Sequence, residues 1–204
     1  YTSRVVLNTL GVEDFGIANV VGGVIAMLGF LNDSMSGATS RFLTYELGRG
    51  EHLRLRQTFS TALVIHICIA FVILILGETI GLWFVNNKLV VPENRMFAAH
   101  VVYQVTIAST MLSIIQTPYN AVIISHERMD VFAYVSILNV LLRLLIVYLL
   151  VIGDFDKLIL YSFLQLTVSI IIMTIYRVYC RRHFNEASFS LDITKEYFRP
   201  MLSF

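Results

Sequence analysis

Five long runs of residues almost free of charge dominate this chain, and they decide what it can fold into. Phe15 to Ser40 carries only Asp33, Phe59 to Gly77 none, Phe97 to Ser125 none, Val131 to Gly153 only Arg143, and Leu158 to Tyr176 none. A helix of about 20 apolar residues crosses the hydrocarbon core of a bilayer, and only helices or closed barrels satisfy their backbone groups there. Strict two-residue alternation is missing, which argues against a barrel. The expected fold is therefore all-α, a polytopic transmembrane helix bundle over residues 1–183. Its spans are expected at about 1–11 (partial), 15–41, 58–84, 97–125, 131–153 and 158–180, with an interfacial connector and the start of another helix over 184–204.

Composition agrees with that reading. Hydrophobic residues make up 57% and charged residues 14% of the chain, against roughly 45–50% and about 25% in a soluble domain. A net charge of +1 provides no field to recruit nucleic acid, and basic residues do not interleave with aromatics as on a base-stacking surface. Cys68 and Cys180 fall at different membrane depths, so no disulfide is expected. The five histidines have no ligand spacing with Cys, Asp or Glu, and no nucleophile has a base beside it. Neither a metal, a cofactor nor a catalytic centre is expected.

The segment YTSRVVLNTLG reads as the last turns of an earlier helix, closed by Gly11, with Glu13 and Asp14 opening the next. Both ends of the chain look cut: it opens on Tyr1 and stops at Phe204 within an apolar start. The loops alternate in charge. Arg41, Arg49, Arg54, Arg56, Arg128, Arg177, Arg181, Arg182, Lys195 and Arg199 fall on one side, Arg4, Lys88, Arg95 and Lys157 on the other. By the bias of Lys and Arg, the first side is cytoplasmic. The stretch FNEASFSLDITKEYFRP, with apolar Phe184, Phe189, Leu191, Ile193, Tyr197 and Phe198, reads as an interfacial connector or, alternatively, a solvated linker.

Polar residues inside spans show which faces avoid lipid. Tyr103, Thr106, Thr110, Ser113, Thr117 and Asn120 recur every three or four residues in the third complete span. Ser136, Asn139 and Arg143 repeat the spacing in the fourth, Ser162, Gln165 and Ser169 in the fifth, and the first carries Asn19, Gly22, Ala26, Gly29, Asp33, Ser36 and Ser40. Close helix packing through small residues explains any one stripe; several together point to a shared polar cavity. An ionised group in mid-membrane is costly and faces water or a partner, so Asp33 and Arg143 either line that cavity or pair with each other. Arg4 and Asn8 share a helical face and reach the same cavity unless Arg4 snorkels outward. Arg41, at the inner end of its span, receives an anionic head group or anchors the helix. Asp33 is also the candidate for coupling to a proton or sodium gradient. His66 and His100 read as packing residues, and Pro118 as a kink bordering the cavity.

The segments LGVEDFGIANVVGGVIAMLGFLNDSMSGATSRFLTYELGRG, GETIGLWF and QTPYNAVIISHERMDVFAYVSI together resemble the polysaccharide-exporter branch of the multidrug/oligosaccharidyl-lipid/polysaccharide flippase superfamily. More narrowly they look like bacterial O-antigen and capsule repeat-unit flippases of a kind typical of Bacteroidetes. The resemblance implies about twelve to fourteen helices in two pseudo-symmetric lobes, with this chain holding most of the N-terminal one. It also implies a multi-pass protein of the bacterial inner membrane that turns undecaprenyl-diphosphate-linked oligosaccharide across the lipid by alternating access. Family flippases tend to carry cavity arginines on their first two helices, where Arg4 and Arg41 fall here. A drug or cation antiporter of the same superfamily is the nearest alternative, and a membrane glycosyltransferase or polysaccharide polymerase a more distant one.

Overall fold

The computed structural model describes residues 2–89, 91–152 and 156–187, and among these it holds helices and no strand. The helices are α1 (Thr2–Leu28), α2 (Phe30–Arg49), α3 (His52–Leu76), α4 (Leu82–Asn87), α5 (Met96–Ser125), α6 (Met129–Ile152) and α7 (Lys157–His183). Among the described residues, five segments are long and apolar enough to cross a membrane: Arg4–Met27, His52–Asn87, Glu93–Ser125, Met129–Leu150 and Lys157–His183. The chain is thus a polytopic helical bundle.

Glycines set where the first helices break. Gly11 lies in α1 at φ 83° and ψ 168°, outside helical space, and divides the helix in two. That region is open to glycine at little cost and closed to most other residues. Gly29 keeps helical angles, but its amide bonds back to Ala26 O at 3.0 Å, a tightened turn that separates α1 from α2. The single span expected over 15–41 is therefore two helices joined at Gly29, and α2 runs on to Arg49. It ends at Gly50, whose φ of 71° and amide bond to Leu47 O turn the chain back into α3. Leu43 then packs in one cluster with Leu55 and Phe59, and Met35 in another with Ala62 and Ile65, so α2 and α3 form an antiparallel pair.

α3 passes into α4 through a π-helical turn, Gly77–Gly81. The cause is Tyr103 on α5. Its hydroxyl donates to Gly77 O at 2.6 Å, and a Cβ on Gly81 would lie 2.0 Å from the same oxygen. Only a glycine admits the ring there.

α5 is the central helix, packed against α7, α3, α2 and α1. Pro118 is buried inside it without ending it, so the expected cavity-lining kink is instead part of the core. α6 lies outermost and presents Tyr134, Ile137, Leu141, Leu145 and Tyr148 outward, an apolar face fit for lipid. At the end opposite the arginine-rich loops, Arg95 donates to Asp14 at 2.7 Å and to Asp156 at 2.6 Å. Asp156 also caps α7 by accepting from the amides of Leu158 and Ile159. One guanidinium so ties the starts of α5 and α7 to α1 just beyond Gly11.

Candidate substrate cavity

A cavity of about 510 Å³ opens among α1, α5, α6 and α7. α1 supplies one helical face, Phe15, Ala18, Asn19, Gly22 and Ala26, on which the glycine and the two alanines leave the space; α5 adds Thr106 and Ser109, α6 adds Arg143, and α7 adds Tyr161, Ser162 and Gln165. A neighbouring cavity of about 310 Å³ shares Phe15, Asn19, Arg143, Tyr161 and Gln165. Arg143 stands on the wall common to both.

The polar groups are held by their own helices. Thr106 donates to Val102 O at 2.7 Å, Ser109 to Val105 O at 2.9 Å and Ser162 to Ile159 O at 2.7 Å, which leaves each hydroxyl oxygen able to accept. Asn19 donates to Phe15 O, and Gln165 to the Tyr161 hydroxyl at 2.9 Å. Arg143 Nε donates to Asn139 Oδ1 at 3.2 Å, one turn earlier on α6. That bond uses the inner nitrogen and leaves the two-pronged outer edge of the guanidinium, the part suited to a phosphate or carboxylate, toward the space. Among the described residues, no acidic side chain lines either cavity.

Of the residues singled out from sequence, Asn19, Gly22, Ala26, Thr106, Arg143, Ser162 and Gln165 meet in the larger cavity, and Asn139 orients Arg143. The others are placed elsewhere. Asp33 and Arg143 form no ion pair: Asp33 is exposed on α2. Tyr103 is fully buried and serves the π turn, not a cavity. Thr110 donates to Thr106 O, and Ser113 contributes its carbonyl to Thr117. The single Thr117 hydroxyl proton lies between that carbonyl at 3.3 Å and Asn32 Oδ1 at 3.1 Å, and the latter contact links α5 to α2. Asn120 lies on the inner stretch of α5 with its Oδ1 buried and unbonded. Arg4 and Asn8 are exposed on the first part of α1 and line neither cavity, while Arg41 borders a shallow apolar recess with Ala38, Phe42 and Tyr45. Tyr161 and Ser109 were not marked by the sequence; Tyr161 sits one turn before Gln165, but an aromatic ring in a span gives no sign that its hydroxyl faces a cavity.

A second polar surface continues from this site. Asn19, Gly23 and Ala26 on α1 and Asp33, Gly37, Arg41, Thr44 and Gly48 on α2 are all exposed, at spacings of three and four apart from the junction around Gly29. α2 is absent from the five membrane-competent helices; it carries Asp33, Arg41, Glu46 and Arg49. Acyl chains offer such a face nothing, so it requires water or another polar surface.

The MatE family profile matches residues 1–149, most of the chain. No curated protein and no solved structure matches it.

Proposed function

The chain belongs to the MatE family of the multidrug/oligosaccharidyl-lipid/polysaccharide flippase superfamily, whose members are transporters, not enzymes, and from that premise we propose that it is a lipid-linked oligosaccharide flippase. Its cargo is an undecaprenyl-diphosphate-linked polysaccharide repeat unit, its membrane a bacterial inner membrane, and its mode alternating access. In this reading the chain forms most of the N-terminal lobe, and the arginine-rich loops lie in the cytoplasm.

The observation that carries the proposal is the cavity wall around Arg143. Moving a diphosphate and its sugars through hydrocarbon requires a cation for the phosphates and neutral hydroxyl and amide groups for the sugars, and the wall offers that combination without a carboxylate. Arg143 would take the phosphate oxygens; Asn19, Thr106, Ser162 and Gln165 would bond sugar hydroxyls. The exposed stripe of α1 and α2 would continue the wet path toward the other lobe, with Asp33 on it available to couple transport to protons or sodium.

The deciding experiment is a deletion strain carrying either the wild-type gene or Arg143→Gln. A flippase deletion accumulates the lipid-linked repeat on the inner leaflet, the wild-type gene clears it, and Arg143→Gln does not. Export of organic cations with no effect on the lipid-linked repeat would instead establish the drug antiporter, the reading that Asp33 on the exposed stripe favours.

A further inference from the structure

Among the described residues, eight buried side-chain atoms have no hydrogen-bond partner, and six of them belong to three helices packed on one another, α2, α3 and α5. They are Thr39 Oγ1 and Glu46 Oε2 on α2, Thr58 Oγ1, Thr61 Oγ1 and His66 Nε2 on α3, and Asn120 Oδ1 on α5. An unpaired polar atom in a protein interior is costly, so six in one trio of helices call for a role. Threonines elsewhere in the bundle bond back to their own helix, as Thr44 does to Ser40 O, Thr106 to Val102 O and Thr167 to Phe163 O. The hydroxyls of Thr39, Thr58 and Thr61 do not, and all three residues are fully buried.

Packing puts these atoms in order. Leu43 of α2 shares a cluster with Leu55 and Phe59, and Met35 shares one with Ala62 and Ile65. Glu46, nearer the arginine-rich end than Leu43, therefore lies level with the first turns of α3, Thr39 lies between the two clusters, and His66 follows Ala62 by one turn. The Tyr119 ring packs on Phe59 with centroids 5.3 Å apart, which brings Asn120 to the level of Thr58 and Thr61. The result is a polar seam that begins at Glu46 and ends at His66, about 20 Å along α3 at 1.5 Å per residue.

His66 closes the seam with a base. Its Nδ1 lies 2.8 Å from Ala62 O. A carbonyl only accepts, so Nδ1 carries the hydrogen, and in the neutral ring Nε2 presents a bare lone pair. The ring is fully buried. On α2, Glu46 is the charged group turned inward, since Asp33, Arg41 and Arg49 are exposed. On α5, Tyr119 packs on Phe59, while Tyr103 serves the π turn and His100 lies toward the other end. Glu78 and Glu186 belong to the two ends of α3, the latter bonded to His126. Hydroxyls donate and accept at once, so Thr39 and Thr58, with Asn120, can order water between the Glu46 carboxylate and the His66 lone pair.

We propose that His66 Nε2 is a proton-binding site loaded from the arginine-rich end, with Glu46 at its entrance. The proton comes from water, passes Glu46 and the hydroxyls, and adds to the Nε2 lone pair; no other bond is made or broken. An imidazolium at this depth places an unpaired charge among three packed helices, so loading favours an arrangement in which the seam opens to water or to Glu46. The site is the same whatever the cargo.

The test follows hydrogen–deuterium exchange at the imidazole C2 position by mass spectrometry, on the full-length transporter in nanodiscs, from about pH 5 to pH 8. That exchange requires both the imidazolium and contact with solvent. Wild-type His66 exchanges with a sigmoid pH profile. Glu46→Gln and Asn120→Leu each slow it by about tenfold, as expected for the loss of one charged or buried hydrogen bond along the route, while Asp33→Asn leaves it unchanged. His52 and His183, exposed and outside the seam, serve as internal standards whose unchanged exchange shows that each variant is folded, and Asn120→Leu carries the test should Glu46→Gln not fold. Slow exchange at wild-type His66 that does not vary with pH overturns the proposal, by showing a dry packing residue. Equal exchange at His66 in wild type, Glu46→Gln and Asn120→Leu overturns the route.

Discussion

The hydroxyl of Tyr103 donates to the carbonyl of Gly77 at 2.6 Å and fills the place where a side chain on Gly81 would begin. A π turn widens the helix by one residue; here the Gly77 carbonyl accepts both the Leu82 amide of that turn and the hydroxyl of a tyrosine from the adjacent helix. Shape and hydrogen bonding at this contact depend on each other, which makes the pair separable by mutation.

Gly81→Ala should destabilise the protein by about 1–3 kcal/mol, the usual cost of overpacking. Tyr103→Phe should cost about 1 kcal/mol through the lost bond to Gly77. The double variant should be more stable than the sum of the two, because removing the hydroxyl removes the clash. Thermal unfolding in detergent measures all three, and strict additivity would refute the coupling.

Arg95 serves two carboxylates, and Asp14 is almost wholly buried beside it. Arg95→Ala leaves both unpaired; with Arg95 and Asp156 each about one-third exposed, the cost should be about 2 kcal/mol, below that of a fully buried pair. Arg95→Lys should recover only part of it, since a point charge cannot fork between two partners. A melting temperature for Arg95→Ala equal to that of wild type would show the triad to be energetically idle.

In proteoliposomes or in cells, Arg143→Gln should reduce transport of an anionic lipid-linked substrate by about tenfold or more, the worth of one charged hydrogen bond. Asn139→Ala should do less, because it frees Arg143 to swing without removing its charge. Equal effects of the two substitutions would mean that Arg143 acts only through Asn139.

Single cysteines on a background lacking Cys68 and Cys180 should separate the wet face from the lipid face. Gly37→Cys, Arg41→Cys and Thr44→Cys on α2 should react with a membrane-impermeant maleimide in at least one transport state. Ile137→Cys, Leu141→Cys and Leu145→Cys on α6 should not, since thiols in hydrocarbon stay protonated and shielded. Reaction at α6 with silence at α2 would reverse the assignment of faces.

Much of this architecture is legible in the residues. Four of the five long, nearly uncharged runs coincide with membrane-competent helices among the described residues, and Arg143 declares itself by its charge within a span. The break at Gly29 is not legible, because glycine in a membrane helix more often marks close packing. Stripe spacing fails in a specific way: it says that Tyr103, Thr110 and Ser113 share a face, but not whether that face meets water or a neighbouring carbonyl. Tyr103 found the carbonyl of Gly77, and Thr110 that of Thr106. Arg143 was separable from these because a guanidinium has more donors than one neighbour can absorb.

The stitch made by Arg95 has a mechanical meaning. Helices fastened to one another at one end by ion pairs can splay only at the other, as blades do about a rivet. If this bundle changes shape during turnover, the Asp14–Arg95–Asp156 corner is its fulcrum, and the travel is greatest at the far ends of the helices it joins, α1, α5 and α7.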